Sequence, residues 1–290
     1  MSLAGQSTAP TRRGGVWFRL RIEPRPKYEG KPEDHEAIAH HILNIVPIRT
    51  IQTEGVMYYY KDGRYRPGAE KVVETELHRD FRKVSRQFID SVLNKIQANT
   101  SVFLSEIGGP YFDPDLNVIN MRNGLFNWRT DEFKRHTPDY PSVVQIPIRY
   151  NPEAECPRIM KMLSEILKPE DVTKFLEFSA YCLYRAHPIQ KMLLLFGPSG
   201  TGKSTLIKLL RHLVGEENCA EVPIHKMYKE FAVATMRGKL LNAVSDLSSR
   251  DIRELAEFKK LTSGRDIVGA RHLYEDYFVF VNYAKTVVSR

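Results

Sequence analysis

The stretch Lys191–Leu210, KMLLLFGPSGTGKSTLIKLL, constrains the fold more than any other part of the chain. Within it, Gly197-Pro198-Ser199-Gly200-Thr201-Gly202-Lys203-Ser204 fits G-x-x-x-x-G-K-[ST], and the apolar run before it, Met192 to Phe196, reads as a buried strand. After it, Leu206, Ile207, Leu209, Leu210 and Leu213 fall at helical spacing. Strand, loop of small residues and helix, in that order, make a cradle for phosphates. Backbone N–H groups close around the anion, and the helix aims the positive end of its dipole at it. Lys203 supplies a point charge to the β- and γ-phosphates, and the Ser204 hydroxyl can ligate Mg²⁺. The expected ligands are ATP and Mg²⁺, held from Gly197 to Ser204 with the adjoining Thr205.

A chain of 290 residues, 42% of them hydrophobic, can bury a core and is long enough for about two domains. No apolar run approaches the length that spans a bilayer, and the opening MSLAGQSTAP lacks the charged-then-apolar pattern of a secretory signal. A membrane partner is therefore not expected. Three cysteines, Cys156, Cys182 and Cys219, are far apart and in no C-x-x-C pair, so neither a disulfide framework nor a zinc site is indicated. A reducing cytoplasm fits that usage. His40-His41 falls in a helix-like segment, where solvated or capping roles outweigh a metal-ligand pair. A net charge of +8 and a pI near 9.3 favour a polyanionic partner. The charge sits in a Pro/Gly-rich opening segment, Arg12 to Lys27, and in a C-terminal region that includes Arg237, Lys260, Arg265 and Arg271.

Periodicity divides the chain further. Residues 1–32 read as a flexible basic tail or linker, and Glu33 to Ile45 as a short helix with Ile38, Ile42 and Ile45 on one side. Val56–Tyr60 and Arg64–Arg66 read as a β-hairpin, because Asp62-Gly63 supplies the positive φ of a tight turn. Helical stretches are expected over Glu70–Val84 and Ser85–Gln97, a small irregular β-containing segment over Leu104–Pro147, and helices again from Arg158 to Tyr184. A phosphate loop also needs an acidic partner at the end of a neighbouring buried strand. Lys239-Leu-Leu-Asn-Ala-Val-Ser-Asp246 offers one, with Asp246 holding Mg²⁺ or orienting water; capping of a following helix, Ser249–Leu261, by Asp246 or Ser248 is the competing role, and the two are compatible if the strand ends at Asp246 and the helix begins after it.

The order of these segments resembles the phage/plasmid and poxvirus primase-helicase family of superfamily 3 helicases, over roughly residues 34–290. The likeness rests on several motifs in sequence order. They are the hairpin Tyr58–Tyr65, Asn123-Gly124, Tyr150-Asn-Pro-Glu-Ala-Glu-Cys-Pro157, the phosphate loop, Phe231-Ala-x-Ala234 with Arg237-Gly238-Lys239, and Lys260-Leu-Thr-Ser-Gly-Arg-Asp266. The resemblance implies an α/β fold, an AAA+-like P-loop NTPase core over 153–290, preceded by a smaller α+β accessory domain over 33–152. It implies Lys203 and Asp246 as the catalytic pair and Ser204 and Asp246 as the groups near Mg²⁺. It implies Arg271-His272 as a basic hairpin tip on single- or double-stranded DNA, with Lys260 as a further DNA contact, and self-association of the full-length protein into a ring, with six subunits the expected number. The family's sensor asparagine would follow the strand Ala284–Arg290, and Asn282 lies before that strand instead. The core is thus expected to be cut short at the sensor, and this chain to bind ATP, hydrolyse it poorly and remain mostly monomeric.

Three functions compete. The first is an ATP-driven DNA helicase module of a mobile element's replication protein, working in a host cytoplasm. The second is a nucleotide- and DNA-binding fragment without efficient turnover. The third is a small-molecule kinase, which needs an Arg-rich lid and an acceptor pocket soon after the loop and fits poorly with the long helical N-terminal region.

Overall fold

The computed structural model describes residues 12–13, 16–17, 26–52, 55–102, 112–245, 267–271 and 277–290. It has mixed α/β architecture with one parallel sheet, and it divides into two compact units, 1–48 with 70–100 and 49–69 with 101–290.

In the first unit, β1 (Arg12–Arg13) pairs antiparallel with β2 (Val16–Trp17). Helix α1 (His35–Ile45) begins where Asp34 Oδ1 accepts the Ala37 N–H at 2.9 Å, two residues later than the sequence suggests. It buries Ile38, Ala39 and Ile42. The two helical stretches expected over Glu70–Val84 and Ser85–Gln97 are α2 (Ala69–Asp80) and α3 (Arg86–Thr100), the first ending four residues early and the second running three residues further. Ser85 Oγ caps α3 by accepting the Phe88 N–H at 3.2 Å. Ile89, Val92, Ile96 and Thr100 make the buried stripe of α3, one face of a 3.6-residue period. Helices α1 and α3 are joined at the rim by Glu36, which accepts from Asn99 Nδ2 at 2.7 Å.

The second unit opens with a sheet of order β5-β4-β3-β6, built from β3 (Ile48–Ile51), β4 (Val56–Lys61), β5 (Arg64–Pro67) and β6 (Ser101–Val102). The expected hairpin is β4–β5, turning through Asp62 at φ 54° and Gly63 at φ 85°. Both left-handed residues are what a two-residue turn between twisted strands requires. An antiparallel meander follows, β7 (Val118–Met121), β8 (Gly124–Asn127) and β9 (Glu132–Lys134). The segment Arg158–Tyr184 becomes two helices, α4 (Pro157–Ile166) and α5 (Pro169–Cys182). Each carries proline at its first position, where a missing N–H is harmless, and Pro169 separates them by holding Lys168 extended.

The parallel sheet has order β10-β15-β12-β11, from β10 (Leu193–Leu195), β11 (Cys219–Ala220), β12 (Leu241–Val244) and β15 (Lys285–Ser289). Helix α6 (Lys203–Val214) follows β10, α7 (Glu230–Ala234) precedes β12, and the hairpin β13 (Ile267–Arg271) and β14 (Tyr277–Val281) precedes β15. Alternation along β15 sends Val287 into one core with Leu163, Phe175, Leu206, Leu210 and Leu241. Val288 goes into another with Val222, Ile224, Met236 and Val244. β12 and β15 are buried along their whole length, as strands covered on both faces are, whereas β10, expected to be a buried strand, leaves Leu194 exposed, and Phe196 beyond it is exposed too.

Lys285 opens β15, and its side chain is fully buried. Its ammonium donates to the carbonyls of Ala186 at 2.8 Å and Tyr283 at 3.0 Å and to that of Tyr184, and lies 4.5 Å from the centre of the Tyr181 ring. Burial pulls this ammonium down to about 7, with Cys182 pulling up and Arg185 down. Unfolded lysine titrates near 10.4. Between those values the unfolded chain holds the extra proton, so this group makes stability greatest above 10.4 and lets it fall as pH drops toward 7. Urea unfolding at pH 7.5 and 8.5 should show a gain toward alkaline pH of up to about 1.4 kcal/mol per unit that disappears in Lys285→Met. Equal slopes in the two proteins would refute it.

Candidate functional site

The loop Gly197–Ser204 connects the C-terminal end of β10 to the first turn of α6. Gly202 caps the twelve-residue α6 in the left-handed region, at φ 88°. A Cβ there would also lie 2.8 Å from Ile166 Cδ1, so glycine is required twice over. The Gly202 carbonyl starts the helix by accepting from Thr205 N at 3.0 Å and Leu206 N at 3.1 Å. Thr201 Oγ1 donates to Pro198 O at 2.9 Å and closes the loop on itself.

Lys203 is half-buried, and its Nζ donates to Gly197 O at 2.6 Å and Pro198 O at 2.7 Å. The ammonium is thus held over the loop by the loop's own carbonyls. Apart from Thr201, whose N–H closes a turn on Pro198, the N–H groups of residues 199–204 have no backbone acceptor among the described residues. Ser199, Gly200, Thr201, Ser204 and Thr205 are solvent-exposed. Unpaired N–H groups, a positive helix end and a fixed ammonium converge on one place. This donor set suits the oxygens of a polyphosphate, and the exposed Ser204 hydroxyl suits a Mg²⁺ carried with it.

The neighbouring strands reach the same edge of the sheet. Arg290 N donates to Leu195 O at 2.9 Å, and Gly197 N donates to Arg290 O at 3.2 Å, so β15 continues as a brace under the start of the loop. Ser289 Oγ donates to the carbonyl of Ser245, the residue that follows β12. Of the residues singled out for this neighbourhood, Asp246, Lys260 and His272 lie outside the described residues, as does the stretch Ser249–Leu261. Arg271 ends β13 exposed, its guanidinium 5.1 Å from the centre of the Phe231 ring. Asn282 is buried before the N-terminal end of β15, the edge of the sheet opposite the loop, and its Oδ1 accepts Ala284 N at 3.2 Å. Sequence reasoning missed Ile166, Ser289 and the Arg290 carbonyl. Each reaches the loop through tertiary packing or strand pairing, for which a linear pattern carries no signal. Among the described residues no cluster of His, Cys, Asp and Glu could hold a metal ion, and no helix is long and apolar enough to cross a membrane.

Residues 28–168 match the family described as D5 N terminal like, and residues 195–290 match a Family of unknown function (DUF5906). No curated protein matches the sequence. Among solved structures, the chain is similar in fold to the A form apo structure of the NrS-1 C terminal region. The TM-score is 0.58 with 12% identity, covering 89% of this chain and 57% of that one. A second A form apo structure, of the NrS-1 C terminal region 305–718, gives the same TM-score and identity with 56% of its chain covered. The apo structure of the NrS-1 C terminal region (305–718) gives 0.58 and 12% with 57% covered. This chain therefore spans a little over half the length of the solved chains it matches, and at this identity the likeness concerns the fold.

Proposed function

We propose that this chain is the ATP-dependent DNA helicase module of a phage, virus or plasmid replication protein. The observation that carries the reading is the cradle at the end of β10, where Lys203 Nζ is fixed by two loop carbonyls beside unpaired N–H groups at the head of α6. The D5 N terminal like match over 28–168 and the fold likeness to the NrS-1 C terminal region support a replication context for it. In this reading 153–290 is an AAA+-like P-loop core of superfamily 3 type and 33–152 its accessory domain.

Mg-ATP, when bound, supplies a phosphoanhydride whose hydrolysis can drive movement. The chain's own groups bind and orient it. Backbone N–H groups of residues 199–204 surround the phosphates, and Lys203 leaves its carbonyl partners to neutralise them. Ser204 and Asp246 are the groups assigned to Mg²⁺, and Asp246 is also assigned the orienting of water. Lys260, Arg271 and His272 are assigned to the DNA backbone, and self-association into a ring would place neighbouring copies around one strand. ATP binding with slow hydrolysis by this chain, the slow rate raised by single-stranded DNA, is the expected result. A chain that binds ATP yet shows no hydrolysis with or without DNA would replace this reading with that of a nucleotide- and DNA-binding module.

A further inference from the structure

A second cluster of cations lies within the same unit, away from the phosphate loop, in a cleft of about 640 Å³ between the β4–β5 turn and the β7–β8 turn. Arg64, Arg66 and Arg122 line it with His136, Gln145 and Glu217. The turn that presents the arginines is clamped. Gln145 Nε2 donates to Asp62 O at 3.0 Å, and Asn120 Nδ2 donates to Gly63 O at 2.9 Å. His136 Nε2 donates to Asn120 Oδ1 at 3.0 Å and Met121 O at 2.9 Å, which puts its proton on that nitrogen. The ring packs against Gly63 so closely that a Cβ there would lie 2.5 Å from it. Side chains set on such a frame are positioned before any ligand arrives.

The guanidinium groups are incompletely used. Arg64 Nη2 meets Glu217 Oε2 at 2.6 Å and Arg66 Nη2 meets Asp62 Oδ2 at 3.5 Å, but the Nε of both is buried without a hydrogen-bond partner. Arg64 is only 11% exposed, so its unmet donor carries a desolvation penalty. Arg122 is exposed and its side chain has no partner among the described residues. Three guanidinium groups lining one cleft suit a tetrahedral anion with several acceptor oxygens, which can bridge them where a single carboxylate engages one of them.

We infer that this arginine cleft binds a phosphodiester of a single DNA strand, a contact separate from the phosphate loop and from the β13–β14 hairpin. The inference rests on the DNA-binding part of the proposed function. The net charge of +8 brings polyanions to the surface, and an open cleft accepts a chain that passes through as readily as one that ends there. Glu217 lies just beyond α6, the helix headed by Lys203, so a phosphate arriving at Arg64 competes with the carboxylate at that helix's far end.

The test uses fluorescence anisotropy with a labelled single strand of mixed sequence at two salt concentrations. Arg122→Gln, which breaks no internal contact, should weaken binding roughly fivefold and reduce the slope of log affinity against log salt by about one. Arg64→Gln should weaken it by a similar factor. Glu217→Gln should tighten it, because the carboxylate competes with the strand; a merely structural ion pair would give no gain. Unchanged affinity and slope in both arginine variants, with wild-type binding intact, overturns the inference and leaves the proposed function standing. Absence of DNA binding in the wild type overturns both. Displacement of the strand from the Lys203→Ala variant by equimolar pyrophosphate would overturn the strand as the source of the phosphate; displacement only by unlabelled DNA supports it.

Discussion

Lys203→Ala is expected to weaken ATP binding by roughly ten- to a hundredfold while leaving the fold intact. The ammonium is the one fixed positive charge on the loop, and loss of a charge-assisted hydrogen bond removes about 1.5 to 3 kcal/mol. The fold should tolerate the change because the two carbonyls it releases belong to Gly197 and Pro198, and Pro198 is exposed. Gly197 keeps its N–H bond to the Arg290 carbonyl. Titration with a fluorescent ATP analogue measures the effect, and equal affinity in the two proteins would remove the loop from consideration as a nucleotide site.

Gly202→Ala should produce a loss of similar size by a different route. An L-residue at φ 88° is disfavoured by about 1–2 kcal/mol, and the new methyl must also push Ile166 aside from 2.8 Å. The loop therefore opens or α4 shifts, and in either case the N–H groups of residues 199–204 lose their common focus. The two contributions can be separated. Ile166→Ala made alongside Gly202→Ala removes the clash but not the backbone strain, so affinity for the analogue should recover in part. Full recovery would mean that φ is immaterial. No recovery would mean that Ile166 has no part in shaping the loop.

Local features were legible because they depend on neighbours in sequence. The Asp62-Gly63 turn, the strand and helix on either side of the phosphate loop, and the strand ending near Ser245 all sit where their residues suggest. Helix ends were less legible. The stretch expected over Glu70–Val84 ends at Asp80, and Phe81 beyond it packs on Phe88, a contact no periodicity marks, whereas the second stretch starts at its expected place, capped by Ser85. Helices were expected from Arg158 to Tyr184 with no break placed at Pro169, and α4 ends where Ile166 lies against Gly202, a contact that only the packed structure reveals. The arginine cleft was hidden for the same reason. Arg64 and Arg66 read as alternating strand residues, and Arg122 and Glu217 reach them from distant turns.

The strand order carries a consequence for how the protein comes into being. Among the described residues β10, the strand that launches the phosphate loop, pairs with β15 alone, which arrives roughly ninety residues later in synthesis. β12 likewise gains its larger partner only then. A ribosome that has released the loop and α6 has therefore released an apolar strand with an open edge, its exposed Leu194 and Phe196 free to meet other chains. Closure of this sheet is a late, long-range event, and the nascent chain's exposure to aggregation and chaperones should peak in the interval between residues 196 and 289.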